Sequence, residues 1–196
     1  MRTTSRIAVA FLAFIGTSSA AIAGGLGLTY HSGMHEERAY YYKGRAQALD
    51  AQWKPNHGPG LEAILGDKDD KIQGVLRMSW VMETPASNPD SPDAKGATFA
   101  DYDSVDTRKL GVLGLGVQWG ILGDPSDKQL TLNTLIGSGF ITTDNTEYVT
   151  IELGAGGTYN FTEAIQGVVN LNGVMRSRKH ISFGPAAHLG VRYLFD

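Results

Sequence analysis

The chain is 196 residues long, with 42% hydrophobic and 19% charged residues, 25 glycines and no cysteine. That is enough chain for one ordinary domain, and the missing cysteine excludes disulfide scaffolds, cysteine-ligated zinc and thiol catalysis. A formal charge of −3 argues against a nucleic-acid partner, which needs a clustered basic face. Glycine at this frequency disfavours helices, where it costs about 1 kcal/mol per position relative to alanine.

Residues Met1 to Ala23 have the form of a cleaved secretory leader. Arg2 and Arg6 form a basic start, Ile7 to Ile15 an apolar stretch, and Ala21-Ile22-Ala23 a small-x-small cleavage site. The apolar stretch is shorter than the ~20 residues of a membrane-spanning helix. Cleavage after Ala23 would leave a mature chain from Gly24 with fifteen basic and twenty acidic residues, a net charge of −5.

The mature chain alternates with period two. Leu26, Leu28 and Tyr30 alternate with Gly27, Thr29 and His31. A weaker strand at Gly60 to Leu65 opposes Leu61, Ala63 and Leu65 to Glu62. From Lys71, the residues Ile72, Leu76, Met78, Trp80 and Met82 oppose Gln73, Arg77, Ser79 and Glu83. Four further alternating stretches follow around Gly111–Ile121, Gln129–Phe140, Val149–Tyr159 and Ile165–Arg176, and a last one runs from Ala187 to Phe195. Such patterns predict eight strands, each with one apolar face and one polar or small face. The six longest are ~11–14 residues, enough to cross a bilayer when tilted.

The connections alternate in length. Met34–Pro59 and Thr84–Lys109 are long, whereas Gly66–Asp70, Gly123–Lys128 and Asn160–Glu163 are tight and rich in Gly, Asp, Asn or Pro. Short turns on one side and longer loops on the other are the asymmetry of an outer-membrane barrel. Glycines on the polar faces, among them Gly114, Gly116, Gly137, Gly139, Gly154 and Gly156, suit a narrow interior filled by side chains. Trp80, Trp119, Phe140, Tyr159, Tyr193 and Phe195 fall near strand ends on the apolar faces, where interface girdles form. The expected fold is therefore an all-β, eight-stranded antiparallel up-and-down transmembrane barrel; a secreted soluble β-protein is the alternative.

With these features the chain resembles small bacterial outer-membrane barrels of the OmpA or OmpX type. Leu189, Val191, Tyr193 and Phe195 alternate and end on an aromatic residue, similar to the terminal strand that such proteins present to the barrel insertion machinery; Asp196 follows the aromatic here. Gly157-Thr-Tyr-Asn-Phe-Thr162 is also similar to that family's glycine-rich strand ends. The resemblance implies residence in the bacterial outer membrane, with the lipid bilayer and the insertion machinery as partners.

Lumen-facing ionisable residues would be Glu62, Arg77, Glu83, Glu152, Arg176, His188 and Arg192, with Glu62 and Arg77 on neighbouring rungs. They form either a selectivity constriction or a plug of paired buried charge. The Met34–Trp53 segment carries Tyr40, Tyr41, Tyr42, Arg45 and Trp53 among Glu36, Glu37, Arg38 and Lys43. Aromatic and arginine side chains are enriched in binding surfaces, so this segment is either a loop that engages an extracellular or envelope protein, or strand extending above the membrane, or two further strands.

Catalytic signals are sparse. His180 and Ser182 are similar to the His-x-Ser pair of eight-stranded lipid A deacylases, but Asp196 is the only later carboxylate side chain. Asp90, Asp93, Asp101, Asp103 and Asp106 lie among prolines and serines without the turn glycine of a calcium loop. Gly114-Leu115-Gly116 lacks the third glycine and the helix of a dinucleotide site. No cofactor, metal or enzymatic activity is expected. The leading expectation is a structural or surface-interaction barrel, with a narrow solute channel second and a lipid-modifying enzyme third.

Overall fold

The computed structural model describes residues 24–42, 45–83, 108–141, 146–177 and 181–195. They form β1 (Gly24–Tyr42), β2 (Arg45–Leu65), β3 (Ile72–Glu83), β4 (Arg108–Asp124), β5 (Lys128–Ile141), β6 (Thr146–Asn160), β7 (Ile165–Ser177) and β8 (Ile181–Leu194). All neighbours are antiparallel, and β1 pairs with β8 to close a barrel. Partners followed around the ring from Gly24 run through Leu65, Gly74, Val117, Thr134, Leu153, Gly173 and Pro185. The path returns to β1 one step beyond the Gly33–Ala186 pair. That offset of about ten residues is the stagger a closed, tilted sheet requires.

The three turns at Gly66–Lys71, Pro125–Asp127 and Phe161–Ala164 lie at one end with Gly24 and Phe195. Gly66 and Gly123 carry φ of 111° and 98° there, conformations that a Cβ would strain. Asp124 accepts hydrogen bonds from the Ser126 backbone N–H and hydroxyl, which hold its carboxyl below the usual range. The same end carries outward aromatic rings: Trp119, Tyr159 and Tyr193 are exposed, with Phe161 against Tyr159 and Phe195 against Tyr193. Towards the other end Tyr30, Trp53, Trp80 and Phe183 also face outward. The Phe140 side chain lies outside the described residues.

Two predicted boundaries change. Met34–Pro59 is not a connection: β1 continues to Tyr42 and β2 begins at Arg45, paired from Glu36–Trp53 to Tyr42–Arg45 with one register shift between Glu37 and Ala39. The short strand expected at Gly60 to Leu65 is only the end of this 21-residue β2. Prolines made the segment look like loop, yet the ladder accommodates them. Pro59 sits where β2–β3 pairing skips from His57–Met82 to Gly60–Ser79, and Pro55 lies beyond the final Asn56–Glu83 pair. The ring therefore has eight strands and not ten. Residues 84–107, with their aspartates, and residues 1–23, expected to be a leader, lie outside the described residues.

Polarity is inverted relative to a soluble protein. Arg192, His188, Glu62, Asn170 and Arg77 are buried inside, whereas Leu28, Leu115, Ile136, Leu153 and Leu171 are each more than half exposed on the outer wall. An apolar exterior around a polar interior is stable in hydrocarbon, where the closed ladder leaves no backbone edge unpaired. Leu171, 65% exposed, lies between the two aromatic zones. Leu171→Arg is expected to cost about 2–4 kcal/mol in lipid vesicles, measured by urea unfolding; a soluble surface position would tolerate it.

Candidate functional site: the charged lumen

Alternation on eight strands sends every second side chain into a space that must be filled. On β3 the inward series from the turn end is Gln73, Val75, Arg77, Ser79, Val81 and Glu83, all buried. This series marks successive levels of the lumen.

Near the turns, Gln73 donates to the carbonyls of Asp67 and Lys68 at 2.9 and 3.2 Å and accepts from Gln118 at 3.5 Å. Above it Glu62 is the hub. One of its oxygens accepts from Arg77 Nε and Nη2 at 2.9 and 2.7 Å, and the other from Arg192 Nε at 2.8 Å. Arg192 also donates to Gln166 and Gln118 at 3.0 and 2.9 Å. Arg77 reaches on to Glu152 at 3.2 Å, which accepts from Asn172 at 3.0 Å and lies 3.2 Å from His188 Nε2.

The outer half holds a second group. His31 Nδ1 lies 3.3 Å from His188 Nε2, and His31 Nε2 lies 2.6 Å from Asn56 Oδ1. Asn56 Nδ2 donates to His35 Nδ1 at 3.2 Å, itself 3.3 Å from Glu83. Arg176 donates to Glu83 and stacks over the Tyr148 ring, 5.7 Å from its centre. Between these groups a cavity of about 20 Å³ is lined by His31, Arg77, Ser79, Tyr148, Glu152 and Arg176 among apolar side chains. That is room for about one water.

Small residues make this filling possible. A Cβ on Gly139 would meet Tyr148 Cζ at 1.9 Å, and one on Gly154 would meet Asn172 Oδ1 at 2.1 Å. Apolar plugs complete the packing: Ile64, Val75 and Leu135 in one cluster, and Val81, Leu110 and Tyr148 in another.

All seven predicted lumen residues point inward: Glu62, Arg77, Glu83, Glu152, His188 and Arg192 are buried, and Arg176 is partly so. They divide into two groups, one around Glu62 and one around Glu83. Sequence reasoning missed His35, Asn56 and Tyr148, which it had placed in connections or passed over. It also left His31 out of the network, although His31 and His35 are four apart and so share one face of a strand. Tyr40, Tyr41, Tyr42 and Arg45 lie in the hairpin strands and not in a loop; their side chains fall outside the described residues, and Trp53 is exposed. Leu189, Val191 and Tyr193 face outward on β8, with Phe195 just beyond its end. Ser182 is buried on the lumen side of β8, opposite Arg176, and His180 lies outside the described residues. Among the described residues no His, Asp and Glu cluster is placed to hold a metal.

No protein-family model and no curated protein matches the sequence. Among solved structures, Neisserial surface protein A aligns over 87% of this chain and 97% of its own, with TM-score 0.52 and 8% identity. The Yersinia pestis attachment invasion locus protein, crystallised with a heparin analogue, covers 88% and 99% at TM-score 0.43 and 13% identity. The N-terminal β-barrel domain of Pseudomonas aeruginosa OprF covers 86% and 99% at TM-score 0.43 and 14% identity. The chain has the fold of a small eight-stranded transmembrane barrel.

Proposed function

We propose that this protein is a non-conducting outer-membrane barrel that holds the β1–β2 hairpin above the outer surface for contact with an extracellular or envelope protein. In this reading residues 1–23 are the export leader, and the strand ending in Tyr193 and Phe195 is what the insertion machinery recognises. The observation that carries the reading is the filled lumen. Three buried or nearly buried arginines meet three buried carboxylates through direct hydrogen bonds, and the cavity has room for about one water. Such an interior leaves the outside as the place for function. The hairpin is the longest outward feature among the described residues, because β1 and β2 run past the last β8 and β3 partners. No enzymatic step is assigned.

A peptide tag inserted between Lys43 and Gly44 is expected to bind antibody on intact cells, while one placed at Pro125–Ser126 binds only after the outer membrane is permeabilised. Equal labelling of both in intact cells contradicts the orientation and the role.

A further inference from the structure

The seam where β1 meets β8 has an unusual lumen side. Gly25, Gly27 and Gly33 on β1 bring no side chain to it, and His31 stands directly opposite His188 in the register. The two rings, 4.7 Å apart and edge to face, make the side-chain contact that bridges the seam at this level.

With the Asn56 amide oriented as found, hydrogen bonding runs one way along the chain. His31 Nε2–H donates to Asn56 Oδ1, which leaves His31 Nδ1 as a lone pair able to accept from His188 Nε2–H. Asn56 Nδ2–H in turn uses a lone pair on His35 Nδ1. This sequence works only with a neutral His31, since His188 keeps its Nε2–H in either charge state and has Glu152 3.2 Å from it. A proton on His31 sets its Nδ1–H against His188 Nε2–H. The alternative His188 tautomer turns Nδ1–H into a buried site that has no partner. Arg77 on β3 and Arg176 on β7 face the His31 ring and disfavour a charge on it, the nearby carboxylates Glu152 on β6 and Glu83 on β3 being already engaged by those arginines; Glu152 also lies 3.2 Å from His188 Nε2. Among the described residues β4 and β5 present no ionisable side chain at this level, and Lys54 sits beside His35 at the rim of β2.

We propose that the β1–β8 seam is an acid-sensitive closure: the His188–His31–Asn56–His35 chain holds it at neutral pH and loosens it when His31 takes up a proton. Unfolding exposes the His31 ring to water, where it charges freely, so stability falls as pH drops through the imidazole range.

The test uses residues 24–196 refolded in lipid vesicles and unfolded in urea at pH 7.5 and 5.0. Unfolding is expected to be about thirtyfold faster at pH 5.0, the effect of one proton taken up on unfolding over the roughly 1.5 pH units below the ordinary imidazole value. His31→Gln should reduce the ratio below about threefold, whereas His57→Gln, on the outer wall beside Tyr30, should leave it unchanged. The chain has no cysteine, so Ser32→Cys with Ala187→Cys, register partners on the outer face, gives a clean disulfide lock. Oxidised, it should abolish the acid effect; reduced, it should restore it. An unchanged acid effect with the seam locked, or none in the wild type, overturns the proposal whether or not the histidine variant folds.

Discussion

Glu62→Ala is expected to lower unfolding stability by about 3–5 kcal/mol, because it leaves two buried guanidinium groups without their shared partner. Arg77 on β3 and Arg192 on β8 approach Glu62 from either side of β2, one on each oxygen, and Gln118 and Gln166 offer Arg192 only neutral acceptors. Arg77→Ala should cost less, since Glu62 keeps Arg192, but should still change stability more than solute flux. Replacing Glu62, Arg77, Glu152 and Arg192 together by leucine and methionine should cost less than Glu62→Ala alone, as apolar substitution of a whole buried ionic group is near neutral. Urea titration of the refolded proteins in vesicles reads all three. A quadruple variant weaker than the single one would mean that the ionic group stabilises beyond its own desolvation.

Gly156→Val is expected to cost about 3 kcal/mol, at the upper end for overpacking. A Cβ there would lie 1.9 Å from Asn170 Oδ1 and 2.3 Å from the Val169 carbonyl oxygen. The side chain could swing away, but the Asn133–Asn170 hydrogen bond of 2.9 Å would then be lost, and the backbone carbonyl has nowhere to go. Gly173→Val makes the control: it faces outward, and its Cβ would meet only the Leu153 carbonyl oxygen at 3.8 Å. Its loss on the same assay should stay below about 1 kcal/mol.

The contrast between those glycines shows what alternation alone conveys. Period two assigned Gly156 and Arg77 to the same inner face and Leu171 to the outer one, because a side chain's face depends only on parity along the strand. Parity failed where punctuation hid a strand. Pro55, Gly58 and Pro59 suggested a loop, so Asn56 and His35 dropped out of the network that they complete. Nor could parity show which inner residues meet. The Glu62–Arg77 pair was legible because a tight turn sets its register. Arg192 meets Glu62 only through barrel closure, 130 residues along the chain, and Arg176 meets Glu83 across the lumen. Leu135 and Val168 were harder still, because an apolar residue on an otherwise polar face has no sequence signal other than its position. They are buried plugs between the polar layers.

Single-channel recording of residues 24–196 in a planar bilayer tests the filled lumen most directly. With insertion and folding established in the same preparation, the account predicts no stable openings at neutral pH. Reproducible conductance steps under those conditions would contradict it, and would make Glu62, Arg77 and Arg192 the lining of a pore.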